Sequence, residues 1–138
     1  MRGARRWLAP ALAAGLLAAQ ATVARPVTAN DEAAAIARGA AIVGSRSQGL
    51  CVLCHALPGQ PAAHQGTLAP SLAGVGRRYG AAELRERLLA PERFNPETVM
   101  PAYGRTDGLH RVAAARQGQP LLTPAQVDDV VAWLAAQR

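Results

Sequence analysis

Several residue types that other classes of protein use heavily are scarce or missing in this chain. All 15 of its basic residues are arginine, and it has only two cysteines, two tryptophans, two tyrosines and one phenylalanine in 138 residues. The arginines are spread along the chain without a basic run, which argues against nucleic-acid binding. A site that uses both cysteines leaves no thiol for a second cysteine-based site.

The chain also lacks an apolar run long enough to cross a membrane. Three arginines among the first six residues precede an Ala- and Leu-rich stretch, 8–24, that proline, glycine and glutamine interrupt. This order is typical of a secretory signal peptide, and small residues favour cleavage after Ala21 or Ala24. An uncleaved anchor is the alternative, but a span requires roughly 20 residues. We expect a signal peptide at 1–24, no stable membrane anchor, and export to the periplasm.

The segment that remains, 25–138, is long enough for one domain with a modest core. The formal net charge of +6 falls with the leader, which leaves twelve arginines against nine acidic residues, a net charge of +3. The high pI is therefore largely a property of the signal peptide. Only four aromatic residues remain to fill the core: Tyr79, Phe94, Tyr103 and Trp133.

The most informative segment is Cys51-Val52-Leu53-Cys54-His55. Its C-x-x-C-H spacing is the attachment motif of a c-type haem. Cys51 and Cys54 would form thioether bonds to the porphyrin, and His55 would then supply an axial imidazole to the iron. We therefore predict one covalently attached haem c, whose buried porphyrin would also supply the apolar bulk that the aromatic-poor domain lacks.

Two other chemistries use closely spaced cysteines. A thioredoxin-like redox pair would need a strand before it, but the flanking segments 45–49 and 57–61 are typical of loops. A zinc site would need two further ligands, and only His64 and His110, at irregular spacing, remain to join the cysteines. The motif therefore favours haem attachment over a redox pair or a zinc site.

Helical patterns occupy both ends of this domain. Asn30 is a candidate N-cap for a first helix whose apolar stripe is Ile36, Ala40 and Val43. Gly39 lies within that stripe, although glycine weakens a helix. Its missing side chain would allow another helix to approach closely, which would explain its presence. We predict that this partner is the last helix. It begins with the capping box Thr123-Pro124-Ala125-Gln126. Its apolar stripe consists of Val127, Val130, Val131 and Leu134, and Trp133 lies beside the stripe.

A shorter helix is predicted at 81–90, ended by Pro91. We expect three leucines to point inward, namely Leu84, Leu88 and Leu89, and four charged residues to form a solvated face, namely Glu83, Arg85, Glu86 and Arg87. No alternating pattern indicates a strand, so the predicted class is all-α.

Met100 is the only methionine after residue 24, and it lies in a loop between Pro96 and Pro101. A thioether is a soft, neutral ligand that suits the iron of an electron-transfer haem. We predict that Met100 is the second axial ligand. The alternative is that its side chain only fills space in the hydrophobic core. His64 lies too close to His55 in sequence to cross easily to the other haem face, and His110 leaves bis-histidine ligation open.

With its two terminal helices and methionine loop, the chain resembles the class I cytochrome c fold, in which those helices pack together around one covalent haem. This resemblance implies that the Pro70 carbonyl accepts a hydrogen bond from the His55 ring. It further implies that Leu72 packs on the haem and that Arg77 or Arg78 pairs with a propionate. A solvated surface role for either arginine is the alternative.

The resemblance extends to one family, the X subunits of SoxAX cytochromes. Five segments carry it: 51–56, 68–79, 95–103, 105–113 and 121–134. It implies a stable heterodimer with a SoxA subunit, whose own haem hosts the oxidative joining of thiosulfate to a cysteine of the SoxYZ carrier. The X subunit would accept the released electrons and pass them to a soluble cytochrome c. It would thus be a non-catalytic redox subunit of an L-cysteine S-thiosulfotransferase, with no catalytic residues of its own.

Two other functions remain open from the residues. The chain could be a free electron carrier without a stable partner, or, if Met100 does not ligate iron, a gas-binding or peroxidatic haem protein. The insertion from Tyr103 to Gln119 bears on the first choice, because a minimal carrier needs no such segment before Thr123. From its pattern, the insertion either binds a partner or covers the haem.

Overall fold

The computed structural model describes residues 28–138 and shows four α-helices joined by loops and short 3₁₀ turns. The helices are α1 (Ala29–Gly44), α2 (Val75–Arg78), α3 (Ala81–Leu89) and α4 (Pro124–Ala136). The 3₁₀ turns are Cys51–Leu53, Ala62–His64, Pro91–Arg93 and Ala114–Arg116. Across this part of the chain the only β pairing is an isolated bridge between His55 and Ala69, so the all-α prediction is confirmed. The predicted signal peptide, 1–24, lies outside the described residues.

The N-cap of helix α1 lies two residues earlier than predicted. Thr28, not Asn30, is the N-cap, and its hydroxyl accepts a hydrogen bond from the Asp31 amide while the Asp31 carboxylate accepts one from the Thr28 amide. These reciprocal bonds satisfy two donors that a helix start leaves unpaired. The bond from the Thr28 amide, together with one from the Thr28 hydroxyl, holds the pKa of the Asp31 carboxyl below its ordinary value. Asn30 therefore lies inside the first turn.

The first and last helices pack directly on each other, as predicted. A Cβ added to Gly39 would lie 2.8 Å from the Cβ of Trp133 and closer still to the carbonyl oxygen of Asp129, so only glycine allows this approach. Beside the contact, the Arg38 guanidinium pairs with Asp129 through bonds of 2.8 and 2.7 Å. The glycine that weakens α1 as an isolated helix is thus explained by packing.

Helix α4 forms the centre of the core. Its capping box is present, with the Thr123 hydroxyl accepting from the Gln126 amide and the Gln126 side chain accepting from the Thr123 amide. All five of its predicted core residues are buried: Val127, Val130, Val131, Trp133 and Leu134. They pack against α1, α2 and α3, so one helix joins the other three.

Helix α3 buries two of its three predicted leucines. Leu84 and Leu88 are 3% and 4% exposed, but the prediction for Leu89 is wrong, because its side chain is 36% exposed. A helix as short as α3 turns only a narrow stripe toward the core, and Leu89 lies one residue beyond it. Pro91 follows as predicted and opens a 3₁₀ turn. Among residues 28–138, no helix is both long and apolar enough to cross a membrane.

Candidate haem site

The two cysteines lie in a tight turn that α1 leads into. Leu50 adopts a left-handed conformation with φ 62°, and the chain then forms the 3₁₀ turn Cys51–Leu53. The His55 amide donates to the Cys51 carbonyl at 2.9 Å, which places the imidazole directly after the turn. Both thiols are free, with Cys51 buried and Cys54 half-buried. Burial raises the pKa of the Cys51 thiol.

Neither of the other two cysteine chemistries finds support in residues 28–138. No three side chains of His, Cys, Asp or Glu gather there into a metal site, and His64 and His110 do not join the cysteines. No strand precedes the turn, so the context of a thioredoxin-like pair is missing as well.

A second segment lies alongside this turn and orients the histidine. The amides of Gly66, Ala69 and Leu72 donate to carbonyls of Val52, Cys54 and Ala56 at 2.8 to 2.9 Å. At the centre of this ladder, His55 Nδ1 lies 2.6 Å from the Pro70 carbonyl oxygen, as the resemblance implied. A carbonyl can only accept, so Nδ1 is the donor of this bond, and in the neutral ring the other nitrogen, Nε2, keeps its lone pair.

A cavity of about 660 Å³ opens beside the histidine. His55, Cys51 and Met100 all line it, although His55 and Met100 are far apart in sequence. Most of the remaining wall is apolar. Leu72, which the resemblance implied would pack on the haem, is part of it. The apolar residues of the wall are Val43, Leu72, Val75, Leu84, Leu88, Pro91, Phe94, Val130 and Leu134. Cys54 does not line the cavity, and neither do His64 and His110.

The cavity fits the haem that the cysteine motif predicts. Its volume lies within the roughly 300–1,000 Å³ of cofactor sites, and its wall is largely apolar, as a porphyrin requires. A thiol, an imidazole and a thioether face the same space, and these are the donors that would attach a haem and ligate its iron.

Comparisons with known proteins agree with this geometry. The family model for cytochrome c matches residues 36–137. The chain belongs to the cytochrome c family. Among solved structures, it is similar to the crystal structure of SoxXA from P. pantotrophus, with a TM-score of 0.65 and 32% identity over 73% of this chain and 80% of that one. The cytochrome is thus of the SoxX type. A search of curated proteins finds no match.

The loop that carries Met100 in this cytochrome is short and largely exposed. The Met100 amide donates to the Thr98 hydroxyl at 3.1 Å, and Glu97 and Thr98 donate to Asn95. Val99, next to Met100, is 81% exposed. These hydrogen bonds shape the loop, but they connect residues of the loop with one another and not with the helices.

Tyr103 is a cavity residue of the cytochrome that the sequence does not mark. It is 3% exposed, its hydroxyl donates to the Gly49 carbonyl at 2.7 Å, and its oxygen lies 3.7 Å from Cys51 Sγ. Burial, with a smaller effect from nearby Cys51, raises the pKa of Tyr103 well above its ordinary value of 10.0. The proline on one side of Tyr103 and the glycine on the other suggested only a loop.

Arg87 is another cavity residue that the sequence analysis did not predict. We expected it on a solvated face, but its guanidinium lines the cavity, 4.2 and 4.1 Å from the ring centroids of Tyr79 and Phe94. The Glu83 carboxylate accepts from it at 2.8 Å, so the predicted solvated face is only partly right. The i,i+4 spacing of Glu83 and Arg87 was the one available signal.

Of the two arginines proposed for a haem propionate, only Arg78 lines the cavity. Its guanidinium donates to the carbonyls of Ala73 and Ser71 at 3.0 and 3.1 Å, which holds it at the rim. Arg77 lies beside Gly74 and does not face the cavity.

The insertion after the methionine loop faces a separate cavity of about 410 Å³. His110 lines this second cavity, together with Leu109, Arg111 and Met100, and Met100 thus borders both cavities. Only Tyr103, the first residue of the insertion, lines the haem cavity. The alternative in which the insertion covers the haem therefore finds no support.

Proposed function

We propose that this cytochrome is the mono-haem electron-transfer subunit of a SoxXA-type complex. One observation carries the proposal: His55 and Met100 lie on the wall of a single apolar cavity, next to the buried Cys51. Both candidate axial ligands line this cavity, whereas His64 and His110 do not.

Each residue of the attachment motif has a separate task in this proposal. Cys51 and Cys54 would attach the haem through thioether bonds, and His55 and Met100 would ligate its iron. The hydrogen bond from Nδ1 to Pro70 fixes the ring and would leave Nε2 as the nitrogen that ligates the iron. Bound haem supplies a one-electron redox centre whose potential a methionine ligand raises.

With both axial positions filled by the chain, the iron would have no open site for a substrate. Cys51 and Cys54 would be consumed by attachment, so residues 25–138 would offer no thiol nucleophile. We therefore assign no catalytic residue to the chain. The subunit carries electrons for an L-cysteine S-thiosulfotransferase whose reaction lies on another subunit.

The similarity to SoxXA supports the choice of partner. We propose a periplasmic heterodimer with a SoxA-type subunit, where thiosulfate is joined oxidatively to a cysteine of a SoxYZ carrier. That reaction releases two electrons, which this subunit would pass to a soluble cytochrome c. The insertion from Tyr103 to Gln119, which lies outside the haem cavity, is the segment that we propose for partner contact.

Ligation and partnership require separate experiments. The oxidised holoprotein should show the near-infrared charge-transfer band of methionine bound to ferric haem, and Met100→Ala should abolish it. Persistence of the band in Met100→Ala would exclude this ligand. Leu109→Ala is the matched control, because Leu109 lines the second cavity and not the haem cavity, and this variant should retain the band.

For the partner, affinity purification of the tagged protein from its native periplasm should recover a second haem protein in near-equal amount. Recovery of the monomer alone would instead support the free electron carrier. The same purification with the insertion shortened between Gly104 and Gly118 tests whether that segment makes the contact.

A further inference from the structure

We propose that Tyr103 is a positioning residue that fastens the methionine loop to the cysteine turn and so keeps Met100 on the iron. The inference rests on the proposed ligation by Met100. Tyr103 makes its hydrogen bonds to the backbone of Leu88, Leu122 and Gly49, and in this proposal it acts on Met100 through them.

The tether runs through both the backbone and the side chain of Tyr103. Its amide donates to the Leu88 carbonyl at 2.9 Å, and its carbonyl accepts from the Leu122 amide at 3.1 Å. These two bonds hold the residue against α3 and the segment before α4. From there the side chain crosses the core to Gly49, 54 residues away in sequence.

Gly49 is a rigid anchor for this bond. A Cβ added there would lie 2.9 Å from the carbonyl carbon of Ile42 and 3.0 Å from its Cγ2, so Gly49 is packed directly on the end of α1. The left-handed Leu50 follows at once and leads into the cysteine turn. A hydrogen bond to the Gly49 carbonyl therefore fixes the methionine loop relative to the turn that attaches the haem.

Haem attachment makes the tyrosine more important at this carbonyl. In the free thiol form, Cys51 Sγ also lies within 3.4 Å of the Gly49 oxygen and donates to it. Once Cys51 becomes a thioether it has no proton to donate. Among the described residues, the Tyr103 hydroxyl is then the side-chain donor that still bonds to the buried Gly49 carbonyl.

The methionine loop has little else to hold it. The Met100 amide bonds only within the loop, to Thr98, and its neighbours Val99 and Pro101 are exposed. Tyr103 is the nearest residue after Met100 that is fully buried. Loss of its hydroxyl should therefore loosen Met100 from the iron more than it loosens the fold.

The experiment compares oxidised wild-type holoprotein with Tyr103→Phe, which retains the ring and removes the hydroxyl. Imidazole, which competes with methionine for ferric haem, is titrated while the near-infrared band is followed. We expect Tyr103→Phe to bind imidazole about tenfold more tightly, the effect of one lost buried hydrogen bond. We also expect its band to disappear on heating before the helices melt.

Val131→Ala is the control, since Val131 is buried in α4 but does not line the cavity. It should lower the melting temperature while the imidazole affinity remains that of the wild type. Equal imidazole affinity in Tyr103→Phe and wild type would overturn the inference, as would an equal increase in both variants. A wild-type protein without the band would instead contradict Met100 ligation itself, so the two failures are distinguishable.

Discussion

The imidazole of His55 donates its Nδ1 proton to the carbonyl oxygen of Pro70 across 2.6 Å. This bond orients the ring, and a ligand held in place by such a partner competes better against protons for its metal. Because the acceptor is a backbone atom, its position depends on the rigid φ of Pro70 and on the amides of Ala69 and Leu72, which bond to the cysteine turn on either side.

We expect Pro70→Gly to release His55 from the iron at a higher pH than the wild type. The carbonyl remains in this variant, but a flexible backbone holds it less well, and protonation of Nε2 then competes more effectively. A roughly tenfold weaker ligand moves the acid midpoint upward by about one pH unit. The shift of the Soret band during acid titration measures it. Pro61→Gly, in an exposed loop of the same domain, should keep the wild-type midpoint, and an unchanged midpoint in Pro70→Gly would contradict this role.

Arg87→Gln should lower the reduction potential of the holoprotein. A cation at the cavity wall disfavours the more positive, oxidised haem, and its removal relieves that cost. The side chain is 32% exposed, so solvent screening limits the effect to on the order of 1 kcal/mol, or roughly 50 mV for one electron. Arg85→Gln is the control, because Arg85 lies on the same helix, pairs with Asp128 and does not line the cavity. Equal potentials in the two variants would refute a specific effect of Arg87.

Gly39→Ala should destabilise the cytochrome even though alanine favours helices. The new Cβ would lie 2.8 Å from Trp133 Cβ and against the Asp129 backbone, and neither can move without separating α1 from α4. We expect a net loss of about 1–3 kcal/mol, the usual cost of overpacking. Gly44→Ala supplies the comparison, since a Cβ there meets only Gln60, at 3.8 Å. Thermal melting of both holoproteins checks the pair, and a Gly39→Ala variant as stable as Gly44→Ala would disprove the close contact.

The buried Tyr103 predicts a loss of stability in alkaline solution. Its pKa is raised on folding, so the folded state keeps the proton that the unfolded chain loses above about pH 10, its ordinary value. The contribution of Tyr103 to stability is therefore complete below that pH and declines above it, by about 1.4 kcal/mol for each pH unit.

A Tyr79→Phe variant isolates this titration, because Tyr103 is then the only tyrosine. Its phenolate absorbance should appear only as the helical circular dichroism is lost. Phenolate absorbance in a fully helical protein would show that Tyr103 is accessible to hydroxide and would contradict its burial. The double variant Tyr79→Phe, Tyr103→Phe provides the baseline.

Local patterns account for the parts of the fold that the sequence predicted. The capping box at Thr123 and the stripe of α4 involve neighbours three or four residues apart, so one turn of helix contains the whole signal. The same holds for the cysteine turn. The N-cap of α1 was misplaced because Asn30 and Thr28 are both good caps, and only the reciprocal bonds with Asp31 decide between them.

The sequence by itself determined the attachment motif, the single methionine, the helix pattern and the glycine that demands a close neighbour, because each depends on residue type and short spacing. Tertiary structure decided the rest. It placed Met100 and His55 on one cavity, turned Arg87 inward between two rings, and joined Tyr103 to Gly49 across 54 residues. Contacts of this kind have no periodicity along the chain, since they depend on how the packed helices bring distant loops together.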